Sequence, residues 1–249
     1  MTALVTGAGK RIGRAIAIHL ARLGHDVVVH HSASKADAEG TVALIRGLGG
    51  RAECIGADFL DETETATLIE RSRNIFGPLT VLVNNASIFE EDTLLTATEE
   101  SWNRHMRSNL RAPFVLTQCF ARQVSGPAGF ASIINMVDQR VLKLTPQFMS
   151  YTLAKSALWT LTRTAAQALA PRIRVNAIGP GPTMQGARQT HEDFLTQCDA
   201  TLLRRGGSPD EVTTALSYLL SAPGVTGQII CPDSGQHLAW QTPDVLGVE

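Results

Sequence analysis

Short aliphatic and β-branched runs alternate along this chain with longer stretches whose apolar positions recur three and four residues apart. The short runs predict strands at Ala3–Val5, Asp26–His30, Ala52–Ile55, Thr80–Val83, Ala131–Met136, Ile173–Ile178 and Gln228–Cys231. The longer stretches predict helices at Arg11–Leu23, Ser34–Leu48, Glu62–Phe76, Glu99–Gln123 (interrupted near Pro113) and Met149–Leu169. Strands alternating with helical patterns of this length read as βαβ units on a parallel sheet. The strands are hydrophobic along their whole length, which suits a sheet covered on both faces. The expected fold is therefore α/β: one doubly wound domain over residues 1–249, with a parallel sheet of about seven strands.

No Pro/Ser/Gly-rich linker divides the chain. Its least regular stretch, Gly179 to His191, follows a strand, where open α/β sheets build ligand sites, and is expected to be an active-site loop or lid. With 44% hydrophobic residues and a formal net charge of −1, the composition is globular and offers no general attraction to nucleic acid or anionic lipid. No run is long and apolar enough for a transmembrane helix, and MTALVTGAGK lacks the basic and apolar regions of a signal peptide. A cytoplasmic location with no membrane or nucleic-acid partner is expected. The four cysteines are scattered, and the seven histidines include no His-Glu-x-x-His, so no metal site is expected. His30 and His31, adjacent on a strand, should point to opposite faces, one in and one out.

Thr6–Gly13, TGAGKRIG, links the first strand to the first helix. A glycine loop there brings backbone N–H groups and a helix N-terminus to a pyrophosphate. The stretch from Gly9 to Gly13 is one residue too long for Gly-x-Gly-x-x-Gly. It is similar instead to the Thr-Gly-x-x-x-Gly-x-Gly loop of the short-chain dehydrogenase/reductase family, with Arg11 in place of the middle glycine. NAD enzymes place an acid about 20 residues beyond the loop to hold the ribose 2′-OH. Here the second strand ends in His30, His31 and Ser32, with no carboxylate until Asp37. Lys10, Arg11, Ser32, Ser34 and Lys35 suit a 2′-phosphate, so NADP(H) is the expected cofactor.

Tyr151 and Lys155 lie four apart on one helical stretch and so share a face. An ammonium beside a phenol lowers the phenol pKa and improves it as a proton donor. With the glycine loop, Asn84-Asn85-Ala86 after the fourth strand, Asn109 on the next helix and Pro180-Gly181 after the sixth strand, the chain resembles the short-chain dehydrogenase/reductase family from about Thr2 to Gly235. That resemblance implies a Rossmann-type oxidoreductase. Tyr151 would be its general acid, Lys155 would orient the nicotinamide ribose, and Asn109 would hold a relay water. Thr6, Gly7, Lys10, Arg11, Ile12, Ser32, Ser34, Asp58, Asn84, Ala86, Pro180 and Gly181 would bind the cofactor with Tyr151 and Lys155.

The family normally carries Ser 13 residues before the Tyr; here Asp138 takes that place. An ionised carboxylate opposes the oxyanion of a carbonyl substrate, whereas a C=N substrate takes up a proton on nitrogen and forms no full oxyanion. Arg11, Ser87 after Asn-Asn-Ala, Phe89, and the set Asp138–Tyr151–Lys155 resemble the pteridine and dihydromonapterin reductases. By that resemblance Asn109, Asp138, Tyr151 and Lys155 are catalytic, while Ser87, Phe89, Asp138, Tyr151 and Thr183 touch a pterin or dihydrofolate-type substrate. Phe89 would stack the pterin against the nicotinamide. The alternatives are a short-chain reductase of another carbonyl substrate, or a non-catalytic NADPH sensor. Family members commonly form homotetramers, here through Glu99–Gln123, Met149–Leu169 and Gln228–Trp240.

Overall fold

The computed structural model describes residues 1–125, 131–186, 188–242 and 245. Seven strands, β1 (Thr2–Val5), β2 (Asp26–His31), β3 (Ala52–Gly56), β4 (Leu79–Asn84), β5 (Ala131–Met136), β6 (Ile173–Ile178) and β7 (Ile229–Ile230), form one sheet in the order β3-β2-β1-β4-β5-β6-β7. Every pairing is parallel. The side-chain period of two sorts the strand residues between two cores. Ala3, Val5, Val27 and Val29 face helices α1 (Arg11–Arg22), α2 (Lys35–Gly47) and α8 (Pro209–Ser221). Leu4, Val28, Leu82 and Ile133 face α3 (Glu62–Phe76), α5 (Ala112–Gln123) and α6 (Met149–Leu169). Both faces are thus covered, which is why the strands lack polar alternation. Strand order reverses on either side of β1, so the ligand crevice of an open α/β sheet lies at the carboxyl ends of β1 and β4.

Three features differ from the sequence expectation or give it a definite form. His30 and His31 are both buried, because with helices on both faces neither side of β2 meets water. The break in the fourth helical stretch does fall near Pro113, which stands in the first turn of α5. It is a π-helical turn, Arg107–Arg111, between α4 (Glu99–Met106) and α5, and it turns Ser108 and Asn109 inward. Two further helices, α7 (His191–Asp199) and α8, follow the irregular stretch after β6. Each opens on a capping box that the sequence displays, Thr190 with Asp193 and Ser208 with Glu211. No helix is long and apolar enough to cross a membrane among the described residues.

Candidate active site

The carboxyl ends of β1, β4 and β5 open into a cleft of about 1040 Å³ that runs from the glycine loop to Gln236. Its floor is set by glycine. Gly7 has φ +62°, and a Cβ there would lie 2.9 Å from Ala86 Cα. At Gly13 a Cβ would collide with the Gly7 carbonyl and the Asn85 side chain, so β1, α1 and the end of β4 pack backbone to backbone. Thr6 locks this contact: its hydroxyl accepts from the N–H groups of Asn85 and Ala86, both at 2.9 Å. His30 supports it from β2, its Nδ1 accepting from Gly7 N–H at 3.1 Å. Desolvation lowers the His30 pKa to about 4, so the ring is neutral and free to accept. Sequence reasoning missed that role.

The N-terminus of α1 opens on this floor. Lys10 stands at its N-cap position without a side-chain cap, and no acid occupies the first turn. Arg11 keeps the left-handed conformation of the glycine it replaces, with φ +52°. Its guanidinium crosses the cleft to the carbonyls of Gln185 (2.8 Å) and Met184 (3.0 Å). Ile12, Ser32, Ser34 and Asp58 line the same end. Neither nearby lysine is a lone cation: Lys10 pairs with Asp37 at 2.9 Å and Lys35 with Glu39 at 3.7 Å.

At the other end Tyr151 Oη donates to Asp138 Oδ2 at 2.9 Å. Asp138 Oδ1 accepts from the Arg140 N–H at 2.8 Å, so both carboxylate oxygens act as acceptors, the arrangement of an ionised group. Lys155 is buried and donates to the Met136 carbonyl at 2.8 Å, with its Nζ 5.7 Å from the Tyr151 ring centre. The expected lowering of the Tyr151 pKa does not occur. Burial, then the charge and acceptor of Asp138, push it well above the ordinary phenol value, against smaller pulls from Arg140 and Ser87. Burial also brings Lys155 down to about 8, although Asp138 opposes it.

Ala86, Ser87, Phe89, Pro180, Gly181 and Thr183 line the cleft with Tyr151 and Asp138. Phe89 stacks on Phe148 (ring centres 4.4 Å apart) and meets Tyr151 edge-on (4.6 Å). Four expected residues lie behind the wall. Thr6 is spent on the loop, and Asn84 donates to Asn135 at 2.8 Å inside the sheet. Asn109 holds both backbone groups of Ile88, each at 2.8 Å, and so fixes the segment carrying Ser87 and Phe89. Lys155 is covered by Tyr151 and the end of β5. Sequence reasoning missed Phe148, Arg188 and Gln139. The Gln139 Oε1 is buried in the wall without a hydrogen-bond partner among the described residues.

Residues 7–237 match the family described as enoyl-(acyl carrier protein) reductase. The chain belongs to the short-chain dehydrogenase/reductase family. It is 35% identical over 241 residues, 94% of this chain and 96% of the relative, to an uncharacterized oxidoreductase of Methylorubrum extorquens. A short-chain type dehydrogenase/reductase of Picea abies is 31% identical over 248 residues, 94% of this chain and 91% of the relative. Among solved members of the family, FolM alternative dihydrofolate reductase 1 from Brucella suis, in complex with NADP, superposes with a TM-score of 0.94. That pair shares 42% identity and covers 98% of this chain and 97% of the other.

Proposed function

We propose that this chain is an NADPH-dependent reductase of a C=N bond in a pterin or dihydrofolate-type substrate. The observation that carries this reading is the hydrogen bond from Tyr151 to an acceptor-only Asp138 where the family normally has a serine. A carboxylate at that position opposes a developing oxyanion but tolerates a nitrogen that gains a proton. The Phe89–Phe148–Tyr151 wall suits a flat heterocycle. The 42% identity to a protein named as an alternative dihydrofolate reductase points the same way.

The residues present fit a phosphorylated dinucleotide. The glycine floor would be filled by any Cβ, the first turn of α1 is uncapped and free of acids, and no carboxylate ends β2. When bound, NADPH supplies the hydride that reduces the substrate carbon. The chain's own work is the proton. Tyr151, still a phenol at neutral pH, donates to the substrate nitrogen, and C=N becomes CH–NH. Asp138 faces the cleft and passes the replacement proton to Tyr151. Lys155 holds positive charge below Tyr151. In this reading the enzyme is a homotetramer.

Turnover of NADPH with dihydrobiopterin, dihydrofolate and small reactive ketones tests the proposal. Oxidation is expected with the dihydropterins, with NADH markedly weaker. Turnover of ketones alone would replace this reading with a carbonyl reductase. No turnover of any substrate, with NADPH still bound, would favour a sensor.

A further inference from the structure

The substrate end of the cleft carries five cationic or anionic groups whose partners decide its charge. Arg104 is committed to Glu90 by two bonds of 2.8 and 3.2 Å. Asp138 is taken by Tyr151 and the Arg140 backbone. Arg140 and Arg188 remain. Neither forms a salt bridge among the described residues. Arg140 donates from Nη1 to Thr145 Oγ1 at 2.6 Å, and Arg188 from Nη1 to the Phe89 carbonyl at 2.9 Å. The Nε and Nη2 donors of both are unused among the described residues.

Both guanidiniums gather at one ring. The carbon Cζ of Arg140 lies 4.9 Å from the Phe148 ring centre, and that of Arg188 lies 5.6 Å from it and 5.1 Å from Phe89. Phe148 itself has φ +56°, a strained conformation for a bulky residue, and lines the cleft. Two donor forks, Arg140 half-buried and Arg188 exposed at the rim, with aromatic backing and no anion of their own, form a receptor for a planar anion.

We propose that Arg140 and Arg188, grouped around Phe148, bind a carboxylate on the side arm of the substrate. A dihydropterin bearing an aromatic arm that ends in carboxylates, as in a folate, is then favoured over one with a neutral polyol arm. The heterocycle lies toward Tyr151 and Phe89, and the arm runs past Phe148. The assignment rests on the C=N reductase reading and narrows its substrate class.

With the NADPH-loaded enzyme, kcat/KM for dihydrofolate should exceed that for dihydrobiopterin. Arg188→Gln should lower the ratio of the two by about tenfold, chiefly through the dihydrofolate KM, and Arg188→Lys should restore part of it. Arg140→Gln should act in the same direction. An unchanged ratio in both glutamine variants would overturn the subsite. Should neither dihydropterin be reduced, the reductase reading fails and binding decides the subsite separately. Calorimetric titration of NADP-loaded protein with p-aminobenzoylglutamate should then give binding that Arg188→Gln weakens about tenfold. No binding, or binding indifferent to both arginines, would dispose of it.

Discussion

Asp138 decides what Tyr151 can do. A serine there offers an oxyanion a hydroxyl donor; a carboxylate offers an acceptor, which keeps Tyr151 protonated. Asp138→Ser is therefore expected to slow reduction of a dihydropterin by about 10²–10⁴-fold, the usual cost of losing a positioned proton carrier. The same variant should leave ketone reduction unchanged or improved. Undiminished dihydropterin turnover would end the relay role. Lys155 sets the pH limit. Burial disfavours its ammonium, so it loses its proton near pH 8 rather than near 10.5. Tyr151 is shifted the other way and adds no alkaline limb in that range. The profile of kcat/KM should fall above about pH 8, and Lys155→Arg, whose charge persists, should carry the plateau upward. A wild-type plateau reaching about pH 10 would show that Lys155 keeps its proton in the working enzyme. The spacing of Tyr151 and Lys155 was legible in the sequence. The direction of the Tyr151 shift was not, because it depends on which neighbour lies within hydrogen-bond reach of the phenol. That neighbour is Asp138, 13 positions away, whereas Lys155 turns toward Met136.

At the scale of elements, α6 carries the reacting pair but has no cap of its own: its N-cap residue is Phe148, without a side-chain bond. Asp92, a buried residue from the loop after β4, takes over. It accepts from the Ser150 N–H at 3.0 Å, from the Ser150 hydroxyl, and from Ser101 Oγ at 3.0 Å. Its backbone carbonyl accepts from Met149 N–H at 3.1 Å. His105 closes the network on Ser150 at 2.7 Å. Burial raises the Asp92 carboxyl pKa, but these bonds outweigh it and hold the group below its ordinary value. Asp92→Ala removes a cap and strands buried donors, an expected loss of about 2–3 kcal/mol. Asp61→Ala, at the exposed cap of α3, should cost about 1 kcal/mol. Denaturant midpoints compare the two; equal losses would mean that Asp92 is no more than an ordinary cap. Most elements were legible because their hydrophobic period was unbroken: α3, α6, β5 and β6 match the expected bounds. The break near Pro113 was legible, but its π-helical form was not, since nothing in Arg107–Arg111 marks it. By contrast α8 went unpredicted although the sequence carries its signals, Ser208–Glu211 as its box and Val212, Leu216 and Leu219 on its buried face.

For the whole molecule, the same period that fixed the doubly wound sheet leaves large apolar side chains on the outside of its helices. Trp102 of α4, Phe114 of α5 and Leu153 of α6 are each more than one-third exposed, on the elements expected to carry one tetramer interface. Leu238 and Trp240, each nearly 60% exposed, mark the second expected interface beyond β7. Trp159 and Leu161 stand apart from this set, because both pack against the buried cluster of Val137, Leu158 and Ala177. Two separate faces are what a tetramer with two kinds of two-fold contact requires, each self-complementary. Sedimentation at micromolar concentration should give four times the mass of the chain. Leu153→Glu places a charge on the helical face and should leave dimers joined through the C-terminal face. Trp240→Glu should do the converse, and the double variant should sediment as a monomer. A monomeric wild-type protein would remove the assembly from the proposed function.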